Sequence, residues 1–309
     1  MLHGIELVTQ DLIEPAQAEF ILFNEMPLNS TLNQYRSIVK HVLLLETVAI
    51  RPLNWNLKLH AKVDLIFTWN NQIIDNRKYF KINFPNLLLP QPFRKFYERK
   101  SFCCMIAGNK NSNFHLELYS ERLRAIKWFE VHQPESFSLF GFGWNHFLLP
   151  SEFLWTNKIP GFGKILSKFL RYFVNPGIYP SYKGVVVSKF ETYSNFKFCI
   201  CYENIKDTPG YITEKIFDAF LAGCIPVYLG DKEENLPFDS DTYVSKRDFN
   251  SYEELYDFLV NISEAEYNIY HQNILKFLSS NQSNLFGIDY FSSQIVNRII
   301  SYKKALKNE

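Results

Sequence analysis

Hydrophobic residues along this chain form short continuous runs, and amphipathic segments separate them. The runs cover residues 41–46, 64–69, 102–107, 137–140 and 198–202. Because most of their apolar residues are consecutive rather than alternating with polar ones, they are typical of parallel strands covered on both faces. Between the third and fourth runs, residues 117–132 carry Ala125, Ile126 and Phe129 on one helical stripe, which predicts an amphipathic helix. The pattern as a whole predicts an α/β fold.

The chain of 309 residues is long enough for two domains, and proline usage indicates where they join. Residues 149–181 contain Pro150, Pro160, Pro176 and Pro180 and little strand pattern. We therefore expect a first domain over residues 1–150, a connection over 151–184 and a second domain over 185–309. The second domain is predicted to end in a helix over 292–309.

Composition excludes several classes of protein. Hydrophobic residues make up 47% and charged residues 21%, which favours a globular protein over a disordered one. The net charge of +1 gives no reason to expect nucleic-acid binding. The five cysteines all lie in apolar runs without metal-ligand spacing, so we expect buried free thiols in a reducing compartment.

The sequence also predicts a location. The N-terminus lacks the basic-then-apolar pattern of a signal peptide, and no run approaches the ~20 apolar residues that span a bilayer. We expect a cytoplasmic protein. Residues 164–171 (KILSKFLR) are basic and amphipathic, which leaves two interpretations open: peripheral contact with the inner face of a membrane, or an ordinary surface helix.

Residues 196–230 predict a complete βαβ unit. A strand over 198–202 is followed by a loop, Thr213 is placed to cap a helix, Gly223 suits its left-handed end, and 225–229 form the next strand.

The start of this helix favours an anionic ligand. A loop that leads from a strand into a helix N-terminus offers unpaired N–H groups and the positive end of the helix dipole. Lys215 in the first turn is unfavourable for an isolated helix but suits a bound phosphate. Glu214 can accept hydrogen bonds from ribose hydroxyls, and Asn204 and Tyr211 supply neutral donors at the carboxyl ends of the strands. The alternative is a purely structural turn with Glu214 as a favourable first-turn carboxylate.

The same region resembles a known family. Residues 202–204 (YEN), 211–215 (YITEK) and 222–230 (AGCIPVYLG) are similar in order and spacing to the signature of family 10 glycosyltransferases, the α-1,3/1,4-fucosyltransferases. Residues 242–244 resemble the family's next strand, and residues 247–249 resemble the Asp-Phe sequence that ends it. The resemblance implies a GT-B fold, in which two Rossmann-like domains face a cleft, the first binding the acceptor and the second the GDP-sugar.

The resemblance also implies an activity. It predicts an inverting transfer of L-fucose from GDP-fucose to a hydroxyl of an oligosaccharide or glycolipid, with no metal or other cofactor. Donor binding falls by resemblance on Arg122, Asn204, Tyr211, Glu214 and Lys215. Arg124 is the alternative to Arg122 for the arginine that contacts the diphosphate.

Glu46 is the candidate general base. It ends an N-terminal strand, where the family places a glutamate that takes the proton of the acceptor hydroxyl. Lys215, Arg122 and the helix N-terminus would then stabilise the charge that develops on the leaving GDP. The alternative is a structural Glu46 carboxylate paired with Arg51 or Lys40.

The sequence around Glu46 bears on the acceptor. Residues 45–52, with Trp55 nearby, are closer to bacterial members that act on surface polysaccharide, so we expect a role in surface polysaccharide or lipopolysaccharide synthesis. Two alternatives stay open: the same scaffold with another GDP-hexose, or a non-catalytic glycan- or nucleotide-binding module. Residues 239–241 have the D-x-D spelling of metal-dependent transferases, but their context predicts a polar turn, and the histidines show no metal spacing.

Overall fold

The computed structural model describes residues 5–145 and 179–307. The chain divides into two compact units. The first unit comprises Met1–Leu87, Thr208–Tyr211 and Asn281–Glu309, and the second comprises Leu88–Asp207 and Ile212–Ser280.

Strands and helices alternate along most of the described chain. The strands are β1 (Phe20–Asn24), β2 (Val39–Leu44), β3 (Leu65–Thr68), β4 (Tyr79–Lys81), β5 (Ser101–Ile106), β6 (Phe137–Phe140), β7 (Phe196–Tyr202), β8 (Ile225–Leu229) and β9 (Val244–Ser245). The helices are α1 (Asn29–Gln34), α2 (Leu57–His60), α3 (Tyr119–His132), α4 (Lys189–Ser194), α5 (Glu214–Leu221), α6 (Tyr252–Asn261), α7 (Glu264–Leu278), α8 (Asn281–Asn284) and α9 (Ile288–Leu306).

The first unit is built on a parallel sheet in the order β1-β2-β3-β4. One core cluster brings Met26 and Leu32 against Val42 and Ile66. Another brings the C-terminal helix α9, through Ile295 and Ile299, against side chains of β3 and β4. The last helix of the chain is therefore part of the hydrophobic core of the first unit.

The second unit is built on a parallel sheet in the order β6-β5-β7-β8-β9. Its core packs α3 and α6 against the strands, with Phe129, Phe198 and Leu255 fully or almost fully buried. The prediction of an α/β fold with parallel strands is confirmed in both units. The predicted strands 137–140 and 225–229 match β6 and β8 to the residue, and the predicted helices 117–132 and 292–309 correspond to α3 and α9.

The structure divides the chain differently from the boundaries expected at residues 150 and 185. β5 pairs with β7 in the second sheet, because Cys103 and Cys104 lie in register with Phe198 and Cys199 on the neighbouring strand, and β6 pairs with the other edge of β5. The apolar face of α9 returns residues after Asn281 to the first unit. Of the expected connection over 151–184, residues 151–178 lie outside the described residues, as does the amphipathic segment 164–171. The last residues of the expected connection run beside β6, where Leu139 N–H donates to Ser181 O and Lys183 N–H donates to Leu139 O.

Two expectations from composition can be compared with the structure. All five cysteines are buried and carry free thiols, as predicted. Across the two described ranges, no helix combines the length and apolar character needed to cross a membrane.

Candidate functional site

In the second unit, a buried carboxylate organises the turn between β7 and α5. Glu203 follows the last residue of β7, and its side chain is fully buried. Its Oε1 accepts the Thr213 N–H at 2.8 Å, and its Oε2 accepts the Thr213 hydroxyl at 2.7 Å. Thr213 is the N-cap residue of α5, as predicted, but its hydroxyl makes no capping bond to the helix backbone. Glu203 instead holds the N-cap residue in place.

The same carboxylate holds Lys215 in the first turn of α5. Lys215 Nζ lies 3.2 Å from Glu203 Oε2 and donates to Thr213 Oγ1 at 2.8 Å. The Lys215 side chain keeps 20% of its surface exposed, whereas that of Glu203 has none. The ammonium group is thus anchored on its inner side and reaches solvent on the other, which suits a cation that meets an incoming anion.

Arg122 and Asn204 lie together at the end of β7. Arg122 Nη2 donates to Tyr202 O at 2.6 Å, to Glu203 O at 2.8 Å and to Asn204 Oδ1 at 3.0 Å. Arg124 instead is exposed and pairs with Glu121 at 2.5 Å. The structure therefore brings Arg122, rather than Arg124, to the predicted site.

Glu214, next to Lys215, lies between two ammonium groups. Its Oε1 is 3.8 Å from Lys189 Nζ and 3.9 Å from Lys215 Nζ. Burial raises the pKa of Glu214, but the charges of Lys215 and Lys189, together with hydrogen bonds from its own N–H and from Thr213, outweigh it, so the pKa lies below its usual value. Glu214 is consequently a carboxylate that accepts hydrogen bonds, the state that a hydroxyl donor requires.

The glycine that ends α5 behaves as predicted. Gly223 has φ of 62°, and its N–H donates to Phe220 O at 3.0 Å. A β-carbon there would approach the Phe93 ring and the Arg99 guanidinium within 3 Å, so the close packing adds to the backbone requirement for glycine.

The first unit holds Glu46, the residue predicted as general base, two residues past the end of β2. Its N–H donates to Glu25 Oε1 at 2.9 Å, and its carbonyl accepts from Asn54 Nδ2 at 3.1 Å and Trp55 Nε1 at 3.3 Å. The alternative ion pairs are not formed. Lys40 Nζ donates to backbone carbonyls, among them Ile38 O at 2.5 Å. Arg51 donates to Met26 O at 3.2 Å, and within residues 5–145 and 179–307 no ion pair involves the Glu46 carboxylate.

The predicted donor-binding residue Tyr211 is grouped by its packing with the first unit. Its ring lies 4.7 Å from that of Trp69 and 5.7 Å from that of Phe84. The Trp69 ring in turn lies 5.3 Å from that of Trp55. The apolar ring of Tyr211 thus extends an aromatic cluster that begins beside Glu46, while Asn204, Glu214 and Lys215 lie in the second unit. A role for Tyr211 toward a nucleotide stays a prediction.

The D-x-D spelling at residues 239–241 forms the expected turn. Asp239 precedes a short 3₁₀ helix, Ser240–Thr242, and Thr242 Oγ1 donates back to Asp239 O at 2.7 Å. In the part of the chain that the structure describes, no three His, Cys, Asp or Glu side chains lie close enough together to hold a metal ion.

Comparison with known proteins shows which family the second unit resembles. Residues 182–284 match the model of glycosyltransferase family 10 (fucosyltransferase), C-terminal region. The chain is 34% identical over 123 residues to alpha-(1,3)-fucosyltransferase FucT of Helicobacter pylori, a match over 39% of this chain and 23% of the relative. It is 42% identical over 77 residues to 4-galactosyl-N-acetylglucosaminide 3-alpha-L-fucosyltransferase 9 of Mus musculus, a match over 24% of this chain and 21% of the relative.

Residues 182–284 are similar to the C-terminal region of glycosyltransferase family 10.

A solved structure supports the fold. An alpha-glucosyltransferase in complex with UDP-glucose and DNA containing an abasic site superposes with a TM-score of 0.55 at 14% identity, covering 93% of this chain and 81% of that one. This likeness confirms the predicted GT-B class of α/β fold. The matched segments span less than a quarter of the length of the curated family 10 relatives.

The family 10 region includes Asn204, Tyr211, Glu214 and Lys215, whereas Glu46 and Arg122 lie outside it. Glu203 is part of the signature at residues 202–204, and the sequence signal for its structural role is a glutamate directly before Asn204 and ten residues before the N-cap residue. Glu25 was not predicted, because nothing in the sequence around it marks a carboxylate that folds back onto residue 46.

Proposed function

We propose that this chain is an inverting glycosyltransferase that moves L-fucose from GDP-fucose to a glycan hydroxyl, forming an α-1,3 or α-1,4 linkage. The observation that carries the proposal is the family 10 region, in which Lys215 and Glu214 open α5 beside the end of β7. A helix N-terminus with an anchored lysine has the chemistry of a diphosphate site.

The candidate donor-binding residues of the second unit have the following roles in this proposal. Lys215 and Asn204 contact the diphosphate or the fucose, and Glu214 accepts hydrogen bonds from the ribose hydroxyls. Arg122 orients Asn204 through the 3.0 Å contact to its side chain and adds positive charge near the diphosphate. As the bond to fucose breaks, negative charge grows on the β-phosphate, and these preorganised donors stabilise it. The proposal needs no metal ion and no other cofactor.

In the first unit, Glu46 acts as general base. The acceptor oxygen attacks the anomeric carbon from the face opposite the GDP, and Glu46 removes the hydroxyl proton during the attack. Inversion follows from this single displacement. Tyr211 contributes to the nucleotide region.

For the acceptor, we propose an oligosaccharide or glycolipid of a surface polysaccharide or lipopolysaccharide. The support is the sequence of residues 45–52, which is closer to bacterial members of the family, and the Helicobacter pylori relative. Synthesis of such acceptors fits a protein on the cytoplasmic side of a membrane with peripheral contact to it.

Ligand-dependent thermal shifts test the donor site. GDP should raise the melting temperature without added metal, and UDP and ADP should not, because ligand binding to the folded state stabilises it by RT ln(1 + [L]/Kd). Lys215→Ala should abolish the shift, whereas Lys127→Ala, which removes an exposed lysine of α3, should retain it. Equal shifts with all three nucleotides would contradict a GDP-specific site.

Product analysis tests the transfer itself. Mass spectrometry of a glycan array incubated with GDP-fucose or GDP-mannose should show a deoxyhexose added from GDP-fucose alone. Addition of a hexose from GDP-mannose would favour the alternative donor. A GDP-dependent shift without any product would favour a binding module. Glu46→Gln should keep the GDP shift and lose turnover, and full activity of this variant would contradict the assignment of the base.

A further inference from the structure

The backbone of the first unit carries an unusual feature directly after β1. Glu25 has φ of 73°, in the left-handed region that favours glycine, although it bears a long side chain. Non-glycine residues persist in this region only when their surroundings hold them there, and such residues are concentrated at functional sites. The side chain of Glu25 explains what holds it.

The Glu25 carboxylate is buried, with 8% exposure, and it faces hydrogen-bond donors. Oε1 accepts the N–H groups of Leu45 at 3.3 Å and Glu46 at 2.9 Å. Oε2 accepts the Asn54 side-chain amide. Because the amide and both N–H groups are donors, a carboxylate, which only accepts, complements them.

Asn54 is fully buried and is fixed in turn. Its Oδ1 accepts the Met26 N–H at 2.9 Å, and its backbone carbonyl lies 2.6 Å from His60 Nε2. The same Nδ2 that meets Glu25 also donates to Glu46 O at 3.1 Å. Asn54 therefore links the backbone after β1 to the backbone after β2.

Together these contacts fix the main chain of Glu46 on both sides. Glu25 holds its N–H, and Asn54 and Trp55 hold its carbonyl. We propose that Glu25, with Asn54, is a positioning residue that orients Glu46 toward the acceptor hydroxyl. The inference rests on the proposed function, since it gives Glu25 a role only through the base.

The decisive variant is Glu25→Gly. Glycine adopts φ of 73° without strain, so the fold should be kept while the carboxylate is lost. A misplaced catalytic group costs up to about 10²-fold, so we expect kcat for fucosyl transfer to fall by about 10- to 100-fold. The KM for GDP-fucose and the thermal shift with GDP should stay unchanged, which a general loss of structure would not allow. Asn76→Gly, at an exposed position with φ of 57°, is the matched backbone control and should keep full activity.

A pair of exchanges tests the hydrogen-bond geometry. Glu25→Gln replaces one carboxylate oxygen by an NH2 group, so in either orientation a donor meets a donor, the Asn54 amide or the N–H groups of Leu45 and Glu46, and kcat should fall. Adding Asn54→Asp reverses the pair, since the new amide at position 25 would donate to a carboxylate at position 54. The double variant should recover about tenfold of the loss, though not all of it, because Glu46 O then keeps only the Trp55 donor.

The outcomes separate this inference from the proposed function. If Glu46→Gln loses turnover while Glu25→Gly keeps the wild-type kcat, the positioning role is refuted and the base assignment stands. If Glu46→Gln is fully active, both are refuted. Loss of kcat in Glu25→Gly, with unchanged donor KM and with rescue in the double variant, supports the inference.

Discussion

The two units use the same device for different ends. Glu25 follows β1 and Glu203 follows β7, and each is a buried carboxylate that accepts backbone N–H groups from a later segment. Their remaining partners differ. Glu203 meets the Lys215 ammonium, whereas Glu25 meets the neutral amide of Asn54.

This difference fits the chemistry proposed for each unit. In the second unit, a buried anion fixes a partly exposed cation, which we propose as a contact of the diphosphate. In the first unit, a carboxylate with neutral partners fixes the backbone of Glu46, the residue that we propose as the base. In this proposal a strand-end carboxylate organises an anion site in one unit and a base in the other, and the charge of its partner distinguishes the two cases.

Breaking the ion pair in the second unit should have the largest effect on stability. In Lys215→Met, the fully buried Glu203 keeps its bonds to Thr213 but loses its cation. Removing one partner of a buried pair costs ~3–5 kcal/mol, and because Lys215 is partly exposed we expect ~2–3 kcal/mol. Urea unfolding monitored by circular dichroism measures this as a lower midpoint.

The double variant Glu203→Gln with Lys215→Met is the control. It removes both charges, so its loss should be smaller than that of Lys215→Met alone. If the loss in the double variant equals the sum of the losses in Glu203→Gln and Lys215→Met measured singly, the pair does not interact and the comparison between Glu203 and Glu25 fails.

The fold was largely predictable because parallel strands buried on both faces leave a clear mark in the sequence. β6, β8 and the glycine that ends α5 follow from local pattern alone. The division into units was not predictable in the same way, because strand order is set by pairing between distant residues. Nothing in the pattern of β5 indicates that Cys103 and Cys104 lie beside Phe198 and Cys199.

In the candidate site, too, contacts between residues close in sequence were predictable and contacts between distant residues were not. Lys215 and Glu214 are near one another in sequence at a helix start, so their proximity could be predicted. Arg122 reaches Asn204 across 82 positions, and only the resemblance suggested it. Glu25 lies 21 residues from Glu46 with no shared motif, so its contact to that backbone became visible only in the structure.

A second comparison concerns two buried histidines, one in each unit, whose substitution should change stability by an intermediate amount. His271 Nε2 lies 2.7 Å from Gly223 O in the second unit, whereas His41 Nδ1, in the first, has no hydrogen-bond partner among the described residues. His271→Phe leaves that carbonyl with only a long contact to Tyr267, so we expect a loss of ~1–2 kcal/mol near neutral pH. His41→Phe removes an unpaired nitrogen from between the Phe20 and Tyr302 rings and should change stability by less than ~0.5 kcal/mol.

Acid should distinguish these variants from the wild type. Burial lowers the pKa of His41 and of His271 from 6.5 to about 4, so the folded state binds their protons less tightly than the unfolded state does. The stability that the neutral rings contribute is complete above pH 6.5 and is lost as the pH falls toward 4. Unfolding measured across this interval should show a shallower decline in each phenylalanine variant. A decline as steep as in the wild type would mean that other groups cause the acid sensitivity.

The smallest expected effect is the contribution of Glu25 to the pH dependence of stability, and the sign of this contribution is informative. Burial raises the pKa of Glu25 above 4.5 despite the opposing hydrogen bonds from Asn54 and the Glu46 N–H. The folded state therefore binds this proton more tightly than the unfolded state, and the resulting stability is present below pH 4.5 and is lost as the pH rises through the folded pKa. Glu25→Gln cannot ionise, so its stability relative to the wild type should increase as the pH rises above 4.5. Glu266→Gln in the second unit should show the reverse trend, because the Ser263 hydroxyl and N–H lower the pKa of that exposed carboxylate. If both variants shift in the same direction, the environment of Glu25 does not differ from that of a surface carboxylate, and the contrast between its neutral partners and the cation beside Glu203 loses its physical basis.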